Sequence, residues 1–408
     1  MNTSLLRVVC VAASALAWRC AAAGPASTPI DLPTAIRLAL DQPAARAASH
    51  EVAASRALVE QADRLPNPEL SYLREGQQAG MRTTTVQINQ PVELGGKRRA
   101  RVAVAQQAAG LAHIDWQARR QDIRADVMAA WHDVHIAAHR REVAQALTDL
   151  ARRTVDVAGK RVAAGKISPI DETRARLAAV DAATALTQAT GALTIARTRL
   201  GALIGQPADT LVLAADSAPL PDVEPLAALL ARAGDASGIR RARGQLAARQ
   251  AQAEAERAAR IPDVKLSLGT QRDDQVGRRQ AVVGLSVPLP LFNRNEDALR
   301  AALRRTDQAG DELAAAQAST AAALTAAHTR YATASHEATL LSQEVVPNAR
   351  AAYEQTLKGF EYGKFSLLDV LDAQRTWFQA QTRQWDSLEN AWRAYADMER
   401  LAGPADQR

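Results

Sequence analysis

Apolar and polar positions along this chain follow two periods. Long stretches repeat at three and four, the spacing of an amphipathic helix, and four short runs alternate strictly, the spacing of a half-buried strand. Residues 31–64 read as two helices with a break near Gln42-Pro43, and Pro66 and Pro68 stop the pattern. Glu69 to Arg74 is strand-like. From Thr83 to Gln90, Thr84, Val86 and Ile88 share one face, and Thr85, Gln87 and Asn89 the other. The polar stretch between them predicts a hairpin over residues 69–91, with Pro91 closing its second strand and Gly95-Gly96 marking a bend. A helix is then predicted over 97–162, on the order of 90 to 100 Å at 1.5 Å per residue. A turn over 163–170 and a return helix over 170–204 complete the set, ended by Gly205-Gln206-Pro207.

The same order returns. After a linker at 208–222, helices fill 223–261 and Pro262 stops them. Val264, Leu266 and Leu268 alternate with Asp263, Lys265 and Ser267. A polar loop over 270–279 leads to Ala281, Val283, Leu285 and Val287, alternating with Gln280, Val282, Gly284 and Ser286. This predicts a second hairpin over about 263–288, a long helix over 295–362, a tip at 363–369 and a return helix over 367–402. Gly165 and Gly363 stand 198 positions apart, as do Leu203-Ile204-Gly205 and Leu401-Ala402-Gly403. The chain therefore reads as a duplicated unit, repeat 1 over 31–207 and repeat 2 over 223–403. Leu324, Ala327, Tyr331, Ala334, Ala338, Leu341 and Val345 form a heptad-like stripe, and Ile123, Val127, Ala130 and Val134 form another. Alanine at stripe positions permits close helix approach, and Pro347 is expected to kink or interrupt the second long helix.

The two tips carry related residues. Gly363-Lys364-Phe365-Ser366-Leu367-Leu368-Asp369 answers Gly165-Lys166-Ile167-Ser168-Pro169-Ile170-Asp171. Each serine is a natural N-cap, with an aspartate three residues on at the favourable end of the helix dipole.

Composition narrows the setting. The net charge of +6 is spread along helix faces with few aromatics, so solvated helix surfaces explain the basic residues better than nucleic-acid binding does. Residues 1–23 resemble a secretory signal, with Arg7 in the n-region and cleavage after either Ala17 or Ala23. Trp18 and Arg19 before Cys20 are not the small residues lipidation favours. Cleavage after Ala23 removes both Cys10 and Cys20 and leaves no disulfide. No later stretch reaches the ~18–20 apolar residues of a spanning helix. A membrane crossing would use the strands, each roughly 8 or 9 residues long, just enough when tilted. Four strands cannot close a barrel, and an open edge in lipid leaves backbone groups unpaired at several kcal/mol each, so several chains would have to pool strands.

The order helix, hairpin, long helix, tip and return helix, twice over, resembles the TolC-like outer membrane factors. Gln90-Pro91-Val92-Glu93-Leu94-Gly95-Gly96-Lys97-Arg98, Val287-Pro288-Leu289-Pro290-Leu291-Phe292-Asn293-Arg294-Asn295 and Ser366-Leu367-Leu368-Asp369-Val370-Leu371-Asp372-Ala373 carry the resemblance, the first two to the cobalt–zinc–cadmium (CzcC-like) branch. The resemblance implies a mainly α fold with a small β part. It implies a homotrimer whose twelve-stranded β-barrel sits in outer-membrane lipid and continues as a periplasmic α-helical barrel. It implies a periplasmic adaptor and an inner-membrane RND pump as partners, no cofactor, and export of heavy-metal cations such as cobalt, zinc, cadmium or copper. Export of drugs or organic solutes is the alternative in the same fold, and a soluble periplasmic coiled-coil scaffold or adaptor the alternative of another class.

Asp369 and Asp372 fall on one helix face, and in a trimer would ring the entrance with six carboxylates that favour cations. The family places its acidic constriction at the matching positions. Arg174 stands where Asp372 would be in the first copy, and is expected to help latch a closed state with the acidic tip residues. Gly165, Ser168, Gly363 and Ser366 are expected to form adaptor-contacting tips, although ordinary helix turns need the same residue types. His132, His135 and His139 share a helix face with Asp133 and Glu142 nearby, a spacing that can ligate a metal, although solvated histidines explain it as simply. Gly95-Gly96-Lys97-Arg98 lacks the first glycine and the Ser or Thr of a phosphate loop, and no catalytic Ser/His/Asp order is present, so enzyme activity is not expected.

Overall fold

The structure, a computed structural model, describes residues 29–403 apart from residue 79 and residues 216–218. The signal-like segment 1–23, with Cys10 and Cys20, lies outside the described residues. The elements are α1 (Leu32–Leu40), α2 (Pro43–Ala62), β1 (Glu69–Glu75), β2 (Thr83–Val92), α3 (Lys97–Ala163), α4 (Pro169–Ile204), α5 (Leu226–Arg232), α6 (Ser237–Ala259), β3 (Val264–Asp273), β4 (Arg278–Ser286), α7 (Glu296–Leu340), α8 (Val346–Glu361) and α9 (Leu367–Ala402). Within the described residues they fall into two compact units: residues 29–39 with 130–219, and residues 40–129 with 220–403.

In the first unit, the last part of α3 packs with α4 through small side chains. Ala144, Ala151 and Ala158 on α3 and Ala175 and Ala182 on α4 are buried at seven-residue spacing. The absence of bulk lets Thr148 Oγ reach the Ala182 carbonyl across the pair at 3.1 Å. Leu200 and Ile204 are fully buried toward the end of α4, where Gly205 takes a left-handed φ of 72° and closes the helix on the Gly201 carbonyl. A short parallel bridge joins Ile30 to Leu213. Leu177, Val180 and Ile195 on α4 remain exposed.

The second unit holds a larger apolar core. Leu324, Ala327, Tyr331 and Ala334 of α7 meet Ala391, Ala394 and Met398 of α9, with Leu229 and Ala233 from the α5 segment. The α7 stripe is buried from Leu324 to Leu341, but Val345 is exposed. The reason is a π-helical turn at Leu341–Val345, directly ahead of Pro347. Pro347 has no N–H to give the carbonyl four residues back, and its ring would strike that carbonyl; the wider turn removes the clash and rotates the following face. The buried face resumes on α8 with Tyr353 and Phe360. Tyr353 stacks on Trp377 of α9, ring centroids 5.5 Å apart.

The unit also carries the sheet, antiparallel in the order β1-β2-β3-β4. The central β2–β3 pairing joins hairpins far apart in sequence, with Ile88 opposite Leu268. Two strand limits differ from the expectation. Pro91 does not close β2, which runs on to Val92 paired with Val264. At that point the β1 partner has already ended at Glu69 opposite Asn89, so the missing N–H faces no neighbour. The loop expected over 270–279 shrinks to a turn at 274–277: β3 continues to Asp273 and β4 begins at Arg278. Its polar side chains keep the alternation, and Gln280 donates to Gln271 across the ladder at 2.8 Å.

Candidate functional site

The sheet is inverted relative to a water-soluble protein. Directly paired residues share a face, so the registers sort the side chains into rows. Leu70, Ile88, Leu268 and Val283 form one row, and they are 74%, 53%, 63% and 78% exposed. Tyr72 and Val86 lie in the next row of that face, and Leu266 and Leu285 in the row on the other side. The opposite face is polar and half-buried, carrying Ser71, Gln87, Asn89, Ser267, Gly269 and Gln271. Asn89 is buried there: its Nδ2 donates to Ser71 Oγ at 3.2 Å, and Ser267 Oγ donates to its Oδ1 at 2.6 Å. This amide and its two hydroxyls stitch three strands together on the polar side. Gly269 allows β3 to approach β2 closely, since a Cβ there would lie 2.3 Å from the Val86 carbonyl oxygen. Each large apolar side chain left in water forgoes about 1.5–3 kcal/mol of burial, so a whole face of them calls for a non-aqueous neighbour.

Charged groups tie the helices to the helix-proximal end of this sheet. Asp263, just before β3, accepts from Lys97 Nζ at 2.7 Å and from the Leu94 N–H at 3.1 Å. Arg101 pairs with Glu93, which holds the guanidinium's pKa above its usual value. Gly95, at φ 69°, packs against Ile261 where a Cβ would come within 2.8 Å. These contacts fix the β2–α3 bend on the start of β3, and sequence alone did not indicate Asp263 as their centre.

The two tips close in the same way and open differently. At the first, Gly165 (φ 66°) donates to the Val162 carbonyl and Lys166 to the Arg161 carbonyl, both at 2.9 Å. At the second, Gly363 (φ 76°) donates to Phe360 at 2.9 Å and Lys364 to Gly359 at 2.7 Å. Both are Schellman closures, in which glycine is favoured because the left-handed residue carries no Cβ penalty. Ser168 caps α4 by accepting from the Ile170 N–H at 3.4 Å, with Pro169 in the first turn. Ser366 forms a full capping box: its Oγ accepts from the Asp369 N–H at 3.3 Å, while Asp369 Oδ2 accepts from the Ser366 N–H at 2.8 Å and from its Oγ at 2.7 Å. Those hydrogen bonds hold the Asp369 carboxyl below the usual aspartate value. The Phe365 ring lies over Gly359, leaving no room for a Cβ there, a contact that sequence reasoning missed.

The sequence-predicted gate residues are split between these settings. Asp369 and Asp372 are both exposed on α9, but Asp369 is engaged by its own cap and Asp372 is not. Arg174 does not stand alone: its Nη1 reaches Asp171 Oδ1 at 3.3 Å within the first turn of α4. An exposed pair of this kind contributes about 0–1 kcal/mol and is readily exchanged.

The three histidines lie in different settings, and the solvated reading fails at His132. His132 is buried within the first unit, His135 packs beside Trp131 with centroids 5.1 Å apart, and His139 Nδ1 lies 3.2 Å from Glu142 Oε2. Asp133 faces Arg199 at 3.6 Å. Among the described residues no three His, Cys, Asp or Glu side chains converge where they could hold a metal ion. Spacing on one helix put the imidazoles on a common side, but packing and ion pairs draw the groups to different neighbours.

Comparison with known proteins gives this arrangement relatives. The family described as "Outer membrane efflux protein" matches residues 36–206 and 231–404. The cobalt-zinc-cadmium resistance protein CzcC of Cupriavidus metallidurans is 39% identical over 358 residues, covering 88% of this chain and 86% of that protein. The nickel-cobalt-cadmium resistance protein NccC of Alcaligenes xylosoxydans xylosoxydans is 30% identical over 268 residues, covering 64% of this chain and 59% of that protein. Among solved structures, CusC, described in terms of transmembrane channel formation, superposes with a TM-score of 0.75 at 18% identity, covering 92% of each chain. At that identity the likeness concerns the fold.

Proposed function

This chain belongs to the outer membrane efflux protein family, and from that premise we propose that it is the outer-membrane duct of a pump that expels heavy-metal cations. The inverted sheet carries the reading: an exposed apolar face opposite a half-buried polar face suits a strand set with lipid outside and water inside. β1 and β4 end the sheet with open edges. In lipid each unpaired backbone group costs several kcal/mol, so three copies pool four strands apiece into a twelve-stranded barrel. The apolar residues exposed on α4 are covered by neighbouring copies in the same trimer, whose helices continue the barrel into the periplasm. The two repeats, 31–207 and 223–403, supply matching halves.

The cargo class follows from the relatives, whose names specify cobalt, zinc, cadmium and nickel resistance. The channel binds no cofactor and performs no chemistry of its own. A periplasmic adaptor meets the tips at Gly165, Ser168, Gly363 and Ser366, and an inner-membrane RND pump supplies the drive. Asp372 and Asp369 from three copies form an acidic entrance that favours cations. Arg174 exchanges its weak Asp171 pair for acidic tip partners when the channel is shut.

Deleting the gene is expected to sensitise cells to zinc, cadmium, cobalt or copper while leaving dye and drug tolerance unchanged. Sensitivity to dyes alone would overturn the metal reading in favour of organic solutes. In bilayers, Asp369→Asn with Asp372→Asn is expected to reduce cation selectivity, and unchanged selectivity and opening would remove the gate assignment.

A further inference from the structure

On the apolar face of the sheet, the row farthest from the helices changes character. Arg74 pairs with Thr84, Thr84 with Arg272, and Arg272 with Arg279, so three arginines lie in one cross-strand row on the exposed face. The acidic residues at that end of the strands face the other way: Glu75, Thr83, Asp273 and Arg278 form a row on the polar side. Arg272 and Arg279 are directly opposite on adjacent strands, about 5 Å apart at the backbone, where like charges destabilise the ladder. Arg272 Nε has one counter-charge, Asp274 Oδ1 at 2.9 Å in the connecting turn. No ion pair is found for Arg74 or Arg279 among the described residues.

The height of the row fits an interface. From Val264 to Arg272 the strand climbs eight residues, about 27 Å along its length and roughly 20 Å along the membrane normal once tilted. An outward arginine costs about 2–4 kcal/mol at the bilayer midplane and close to nothing at the boundary, so the row belongs at the headgroups. The chain enters and leaves the sheet at the helix end, while the turns after β1 and β3 lie at the arginine end. Among the described residues no helix is long and apolar enough to cross a membrane; on the family reading proposed above the helices lie in the periplasm, and the arginine row then faces the outer leaflet.

We propose that Arg74, Arg272 and Arg279 form a binding row for the phosphate groups of the phosphorylated glycolipid of the outer leaflet. This rests on the reading of the sheet as membrane-embedded. A planar guanidinium binds phosphate bidentately, and a phosphate seated between Arg272 and Arg279 turns a repulsive cross-strand pair into two attractive contacts. The lipid is thereby held against the face whose next rows, Tyr72 with Val86 and Leu70 with Ile88, receive its acyl chains.

The test uses the full chain, purified in detergent, and native mass spectrometry of bound lipid A against chemically dephosphorylated lipid A. The wild type is expected to retain the phosphorylated form on the order of tenfold better. R74Q/R272Q/R279Q is expected to lose that preference, and R278Q, on the polar face, to keep it. Equal retention of the two lipids by the wild type, or an undiminished preference in the triple variant, overturns the proposal. So does displacement of the lipid by inorganic phosphate at equal phosphate concentration. Insertion into phosphatidylcholine vesicles, followed by conductance, separates the layers of the argument. Protein that inserts without preferring phosphate refutes the arginine row alone, whereas protein that never inserts refutes the membrane reading and the row together.

Discussion

Leu324 and Leu268 are the same residue in opposite circumstances within one unit. Leu324 is 0% exposed in the α7–α9 core, and Leu268 is 63% exposed in the middle of the sheet. Around the first, the chain supplies a buried apolar core; around the second, it supplies only the cross-strand partners Ile88 and Val283, themselves exposed, and buries Asn89 on the other face. On the proposed membrane reading, the difference teaches that one polypeptide is built for two solvents, water along the helices and lipid along one face of the strands. Exposure alone does not separate these cases from accident, but the register does, because it gathers the exposed apolar residues, Leu73 apart, into consecutive rows of one face.

The comparison breaks first in the core. Leu324→Ala is expected to lower unfolding stability by about 2–5 kcal/mol in denaturant titration, because the fully buried site leaves a cavity. Leu268→Arg is expected to cost about 2–4 kcal/mol when folding is measured in lipid vesicles, whereas Gln271→Arg on the opposite face changes little. Equal costs at 268 and 271 would mean that both faces see the same solvent. At the second tip, Ser366→Ala removes a capping box and is expected to cost about 1 kcal/mol, more than Ser168→Ala, whose single cap bond is long at 3.4 Å. The smallest effect is a pH dependence. Asp369 is held below its ordinary value of 3.8 by Ser366, so its contribution is complete above that pH and is lost as the pH falls through the lowered value. Acid titration of the second tip by NMR is expected to show this, and Asp369→Asn to abolish it.

Much of this was legible in the sequence because periods two and three-to-four are written directly into residue order. The alternation of Val264, Leu266 and Leu268 gave the correct face, and the α7 stripe gave the correct buried side as far as Leu341. What was not legible depended on distance in the chain. The pairing of β2 with β3 sets which arginines share a row, and no local pattern carries that register. Polar side chains made the whole of 270–279 look like a loop, although only 274–277 turn and cross-strand pairs such as Gln271–Gln280 keep the flanking residues extended. At the candidate site, helix spacing grouped His132, His135 and His139, but it carried no information about Trp131, Glu142 or Arg199, which draw the groups apart. Spacing likewise put Asp369 and Asp372 on one side without revealing that Ser366 engages only the first.

The most direct test of the two-solvent claim uses single cysteines. The chain's own Cys10 and Cys20 both precede residue 24, so after their replacement by serine a label reports one position. Leu268→Cys and Gln271→Cys, each carrying a fluorophore in reconstituted vesicles, are challenged with a lipid-attached quencher and with aqueous iodide. Quenching by lipid at 268 and by iodide at 271 is the predicted result; iodide reaching 268 while the lipid quencher fails there would contradict it.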